Sequence, residues 1–143
     1  MMLIRTKVAP SQIHGLGVFA DEFIPKGTIL WKYVAGFDLR FSGQDIEKLP
    51  DPIQEFIRTY AYVSLISGYY ILSPDNARFY NHSKDPNTVG IAMDATYGEG
   101  ADIATRDIRE GEEITCDYEK EDGDARIKLG NARGYASSEH SHA

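Results

Sequence analysis

Three short segments hold most of the chemistry this 143-residue chain could perform. His14-Gly15-Leu16-Gly17 sets two glycines one residue apart, ahead of the apolar run Val18-Phe19-Ala20. Glycine frees the backbone for positive φ and lets a ligand approach main-chain N–H and C=O groups closely. That suits the amino-acid end of a cofactor, whose carboxylate and ammonium need donors and acceptors. Taken alone, the segment also reads as a structural turn, and no third glycine or following helix makes it a dinucleotide fingerprint. Asn81 and His82 follow Phe79-Tyr80 and precede the Pro86-Asn87 turn. An amide and an imidazole in one tight corner could read an adenine edge and a carboxylate, or could satisfy backbone groups in the turn. Glu113-Ile114-Thr115-Cys116-Asp117-Tyr118 closes the set. Glu112 and Glu113 are not a catalytic pair, because neighbouring strand residues point to opposite faces and paired carboxylates come from separate elements facing one gap. Tyr118, just past a short apolar strand, is the residue of interest, since a buried tyrosine hydroxyl seeks a partner.

Short strands must position these segments. Residues 3–9 and 28–35 are rich in β-branched and aromatic residues and read as strands, with a turn at Pro25-Lys26-Gly27. A short helix is expected after Ser42, carrying Ile46 and Leu49. A second opens at Asp51-Pro52, with Asp51 as N-cap and Gln54 reaching back. Ile53, Phe56, Ile57, Tyr60 and Ala61 then recur at helical spacing. Strand character returns at residues 69–72, 87–94, 101–105 and 113–116. The sequence thus reads as one domain over residues 1–120, with a helical insertion at about 42–66 and a charged, then small and polar, extension over 121–143 that is expected to fray.

Composition narrows the function classes. The chain is 42% hydrophobic and 26% charged, as expected of a soluble globular protein. No apolar run is long enough for a membrane span, and the first residues show no signal-peptide pattern. One cysteine, Cys116, rules out an internal disulfide and a cysteine-rich zinc site. His140 and His142 alone do not close a metal site. A net charge of −7 argues against a grip on nucleic-acid phosphates and suits a cationic partner such as a lysine-rich peptide.

Together and in this order, His14-Gly15-Leu16-Gly17, Arg78-Phe79-Tyr80-Asn81-His82-Ser83 and Glu112-Glu113-Ile114-Thr115-Cys116-Asp117-Tyr118 resemble the SET-domain family of protein lysine methyltransferases. The resemblance covers residues 3–118. It implies a mainly β fold with a helical insertion, a β-clip-like set of small curled sheets with a C-terminal pseudoknot. It implies S-adenosyl-L-methionine as cofactor, held by His14, Gly15, Leu16 and Gly17 through the backbone, with Asn81 and His82 beside it. Tyr118 would be the catalytic tyrosine next to the transferred methyl, also in contact with the cofactor. Tyr33 resembles an aromatic residue that lines the lysine channel, although the Gly-Glu expected after it is replaced by Ala35-Gly36-Phe37. Flanking zinc modules are absent, and Tyr135 is the only downstream aromatic that could close the channel. The substrate or a second subunit could close it instead, so a homodimer is one expectation.

The implied reaction is consistent with the residues present. Deprotonating a free lysine at pH 7 costs roughly 4.6 kcal/mol. A sulfonium about 4 Å from the amine, at an effective dielectric of about 20, disfavours the ammonium by roughly 4 kcal/mol. No general base is then required, and the sequence offers none. The expected function is protein lysine N-methylation inside the cell, in the cytoplasm or, in a eukaryote, the nucleus. The alternative is a weak or inactive module of the same fold that binds a lysine-containing peptide or the cofactor.

Overall fold

The computed structural model describes residues 1–92, 99–121 and 123. Runs of β-branched and aromatic residues broken by Gly and Pro favour short strands, and the described residues form ten strands of two to five residues. Strands β1 (Thr6–Pro10) and β2 (Leu16–Ala20) make an antiparallel hairpin. Strands β3 (Ile29–Lys32), β8 (Thr88–Ala92) and β9 (Gly100–Ala104) make a second antiparallel sheet in the order β3-β9-β8. A third sheet, β4-β6-β5, joins β4 (Leu39–Phe41), β5 (Tyr62–Val63) and β6 (Tyr70–Leu72).

The last pairing is parallel, between β7 (Asn81–His82) and β10 (Thr115–Cys116). Just before β10 the chain pairs with β2: Gly111 and Ile114 N–H donate to Ala20 and Val18 C=O, and Ala20 N–H donates to Glu112 C=O. The segment therefore runs between β2 and β7 before ending in α3 (Tyr118–Glu121). This is the expected C-terminal pseudoknot, a rare connection among folds. Asn87 locks it in place. Its Nδ2 donates to Glu113 O at 2.8 Å and its Oδ1 accepts from Thr115 N at 2.9 Å.

Two apolar clusters hold these layers. Val18, Ile24, Leu30, Ile108 and Ile114 are buried where β2, β3 and the last segment meet. Burying each such side chain contributes about 2 kcal/mol before entropy. A second cluster, Ile46, Ile57, Ala61 and Leu72, seats helices α1 (Gly43–Glu47) and α2 (Asp51–Tyr60) on the third sheet.

The local expectations hold with adjustments. Ser42 caps α1 through Asp45 N–H, and Leu49 lies beyond the end of that helix. Asp51 is the first residue of α2, not its cap, because Pro50 takes the cap position. Gln54 does reach back, but to the carbonyl of Leu49 at 2.8 Å. The insertion is not helical through residue 66, because β5 begins at Tyr62. The expected strand over 3–9 starts at Thr6, and that over 113–116 is reduced to Thr115–Cys116, with Glu113 only bridged to Phe19. Tyr135, His140 and His142 lie outside the described residues. Among those residues no helix is long and apolar enough to cross a membrane.

Candidate active site

The glycine loop and the Asn81-His82 corner meet through one side chain. Asn81, only 7% exposed, directs Nδ2 at His14 O and Leu16 O, each at 3.1 Å, and at Glu113 Oε2 at 2.8 Å. Three acceptors around one nitrogen fix the amide's orientation. The two carbonyls bracket Gly15, whose φ of +47° is one that side chains rarely adopt. Gly17 is glycine for a different reason. A Cβ there would lie 2.4 Å from Glu113 Oε2 and 3.1 Å from Asn81 Nδ2. The corner is therefore not a loose turn, since Asn81 and His82 form strand β7 and are pinned against β10.

His82, 2% exposed, carries the link onward. Its Nδ1 accepts the Tyr118 N–H at 3.0 Å, with Asp117 Oδ1 at 3.7 Å from the same nitrogen. An accepting Nδ1 places the proton of the neutral ring on Nε2. The His82 and Tyr118 rings lie 5.4 Å apart between centroids. The Tyr118 hydroxyl donates to the backbone carbonyl of Tyr80, the residue just before Asn81. Both ends of Tyr118 are thus held by the Tyr80–His82 segment.

Tyr118 also lines a cavity of about 260 Å³. Tyr80 and Cys116 share its wall, opposite residues brought in by β3, β5 and β6, among them Trp31, Tyr62 and Ser73. Trp31 is held by its Nε1 donating to Ser73 Oγ at 2.9 Å, and its ring meets Tyr62 edge-on at 6.1 Å. The glycine loop, Asn81 and His82 do not line this cavity. The corner and the cavity are neighbours that meet at Tyr118, two separate compartments with one residue in common. Tyr33 is half-buried past the end of β3, where its N–H donates to Gly100 O, and it is not in the cavity wall.

Sequence reasoning gave no role to Glu113, Ser11 or Asn87. Glu113 Oε1 accepts from Ser11 Oγ at 2.7 Å while Oε2 takes Asn81, so the carboxylate organises the loop. Glu112 points elsewhere, to Arg109 N–H, as expected of an adjacent residue. The only local signal for Asn87 was its place directly after Pro86, ahead of the strand Thr88–Ala92.

Comparison with known proteins bears on the family and on the fold. A Plasmodium falciparum protein provisionally named histone-lysine N-methyltransferase 1 is 30% identical over 122 residues, or 81% of this chain. A Chaetomium globosum protein named as a histone-lysine N-methyltransferase specific for H3 lysine 4 is 31% identical over 127 residues, or 80% of the chain. The matches span only 2% and 11% of the lengths of those two relatives. A crystal structure of a Plasmodium falciparum protein, provisionally titled a histone methyltransferase, superposes with a TM-score of 0.56 at 22% identity, over 82% of this chain and 95% of that one. This likeness bears on the fold. The sequence profile described as SET domain matches residues 15–119, from the glycine loop through Tyr118. The chain belongs to the SET domain family.

Proposed function

We propose that this chain is an S-adenosylmethionine-dependent protein lysine N-methyltransferase, with Tyr118 as its catalytic residue. The observation that carries the proposal is the dual placement of Tyr118. Its backbone is bonded to His82 at the corner, and its side chain lines the cavity. A residue so placed can touch a cofactor held on one side and an amine arriving from the other.

The residues at the corner fit the cofactor. His14, Gly15 and Leu16 are exposed, so their backbone is open to a ligand. Glu113 and the His14 and Leu16 carbonyls gather negative potential there, suited to a cationic ligand. Asn81 Oδ1 has no donor among the described residues and could accept from an ammonium. His14, Gly15, Leu16, Gly17, Asn81 and His82 are therefore assigned to holding it.

When bound, the cofactor supplies an electrophilic methyl; its sulfur keeps the bonding electrons and the amine releases a proton to solvent. The chain's own work is positional. The Tyr80 carbonyl fixes the Tyr118 hydroxyl, whose oxygen retains a lone pair to orient the incoming amine. Trp31 and Tyr62 give the cavity apolar walls that exclude water. Alignment in such a channel supplies much of the rate. The net charge of −7 favours a basic protein substrate, met inside the cell.

Incubation of the purified chain with labelled S-adenosylmethionine and a panel of histones and other lysine-rich proteins, read by mass spectrometry, tests the proposal. Methylated lysine that disappears in Tyr118→Phe is expected. Cofactor binding by calorimetry with no transfer to any lysine would instead establish the inactive binding module.

A further inference from the structure

Among the described residues, Arg78 is a cation with no carboxylate to neutralise it. It lies in the single-turn 3-10 helix Asn76–Phe79, one residue before Phe79 and two before Tyr80. Its guanidinium carbon sits 4.9 Å from the Phe79 ring centroid and 5.8 Å from that of Tyr60. Its Nε is buried without a hydrogen bond, and among the described residues no carboxylate pairs with it. Arg78 lines the same cavity as Tyr118.

The charged groups in that wall come from three elements. Arg78 is on the 3-10 helix, Lys120 on α3 and Asp102 on β9. Among the described residues of the wall, two cations against one carboxylate leave a net positive charge, inside a chain whose overall charge is −7. The tyrosine hydroxyls and the Cys116 thiol in the same wall carry no charge while protonated.

From this we infer that Arg78, aided by Lys120, sets the protonation state in which lysine enters: the cavity rejects the ammonium and accepts the neutral amine. The inference rests on the methyltransferase reading and adds, beside the cofactor's sulfonium, a charge of the chain's own that disfavours the ammonium. A fixed cation in a cavity this small acts over about 8 Å. At that range, with an effective dielectric of about 20, one charge shifts the ratio of ammonium to amine by roughly thirtyfold. The aromatic contacts hold the guanidinium in place, so the effect is not lost to side-chain motion. Arg78 is then a positioning residue that acts on the substrate through its field.

Peptide binding tests this without relying on turnover. A histone-tail peptide and the same peptide with norleucine, an uncharged isostere, replacing its lysine are titrated into the full chain by fluorescence anisotropy. Wild type should prefer norleucine at about pH 7, and the preference should shrink as the pH rises toward about 10.4, where free lysine loses its proton. Arg78→Met should raise the lysine-to-norleucine affinity ratio at about pH 7 by roughly thirtyfold, and Arg78→Lys should keep the wild-type ratio. Lys120→Met, at an exposed position, should move the ratio the same way by less and serves if Arg78→Met does not fold. A ratio unchanged in both methionine variants overturns the inference while leaving the methyltransferase reading intact. Failure of wild type to bind either peptide removes the lysine-cavity reading, and this inference with it.

Discussion

Asn81 Nδ2 lies 2.8 Å from Glu113 Oε2, and Gly17 packs against both atoms. The contact joins the glycine loop, strand β7 and the threaded C-terminal segment at a single point. Gly17→Ala would place a methyl 2.4 Å from the Glu113 carboxylate oxygen. That carboxylate cannot swing away freely, because Ser11 holds its other oxygen at 2.7 Å. The expected loss is about 2 kcal/mol of stability, together with most of the cofactor affinity. Gly15→Ala meets nothing within 4 Å and pays only for its φ of +47°, about 1 kcal/mol. Thermal denaturation and calorimetry with S-adenosylmethionine on the two variants check the contrast; equal behaviour would mean that Glu113 does not organise the loop.

Tyr118→Phe removes the hydroxyl but keeps the ring and its backbone bond to His82. One hydrogen bond, to the Tyr80 carbonyl, is lost, worth about 1 kcal/mol of stability. Turnover should fall about a hundredfold or more, as when a preorganised polar group at a reacting centre is deleted. Cofactor affinity should hardly change, because the ring and backbone of residue 118 are kept and the other residues assigned to holding the cofactor remain. Single-turnover methylation alongside calorimetry separates the two effects, and a parallel fall in both would place Tyr118 in cofactor binding only.

Much of this site was legible because its residue types are chemically specific. A glycine free to take positive φ, an amide beside an imidazole and a tyrosine after an apolar strand are each read from local chemistry, whereas the His14 and Leu16 carbonyls that Asn81 meets are 67 and 65 residues away. What was hidden depends on partners remote in the chain. Nothing local to Glu113 says that it will meet Ser11, 102 residues away. Local sequence likewise marks Thr115–Cys116 as strand, but not that both of its residues are buried or that it runs parallel to Asn81–His82. Pro50 took the cap of α2 from Asp51 because a cap is defined by backbone geometry as well as by side-chain type. Tyr33 has a channel-lining side-chain type, yet its place past the end of β3 leaves it outside the cavity wall.

His82 serves the site through its acceptor nitrogen. In His82→Ala the Tyr118 N–H loses its acceptor and a void opens beside the ring, a loss of about 3 kcal/mol. His82→Asn can return an acceptor oxygen close to the position of Nδ1 and should recover a large part of that. Denaturant midpoints measure the stability, and kcat/KM on one peptide measures whether Tyr118 is again aligned. If asparagine is no better than alanine, ring volume and not the hydrogen bond explains the role of His82.

The floor of the cavity rests on a relay in which Trp31 Nε1 donates to Ser73 Oγ at 2.9 Å and Ser73 Oγ donates to Asp38 Oδ1 at 2.7 Å. All three residues are buried, so Ser73→Ala strands an indole N–H and takes one donor from a carboxylate. The cost should be about 2 kcal/mol, because water cannot replace the hydroxyl without room. Asp38 is less affected than Trp31, since Val34 N–H still donates to it at 2.8 Å. Trp31→Phe removes the stranded donor itself. Added to Ser73→Ala it should therefore cost less than the sum of the two single changes. Trp31 is the only tryptophan, so a change in its emission in Ser73→Ala reports the lost bond directly. Additive losses in a circular-dichroism denaturation cycle would show that Trp31 is held by packing alone, with Ser73 incidental to the shape of the cavity.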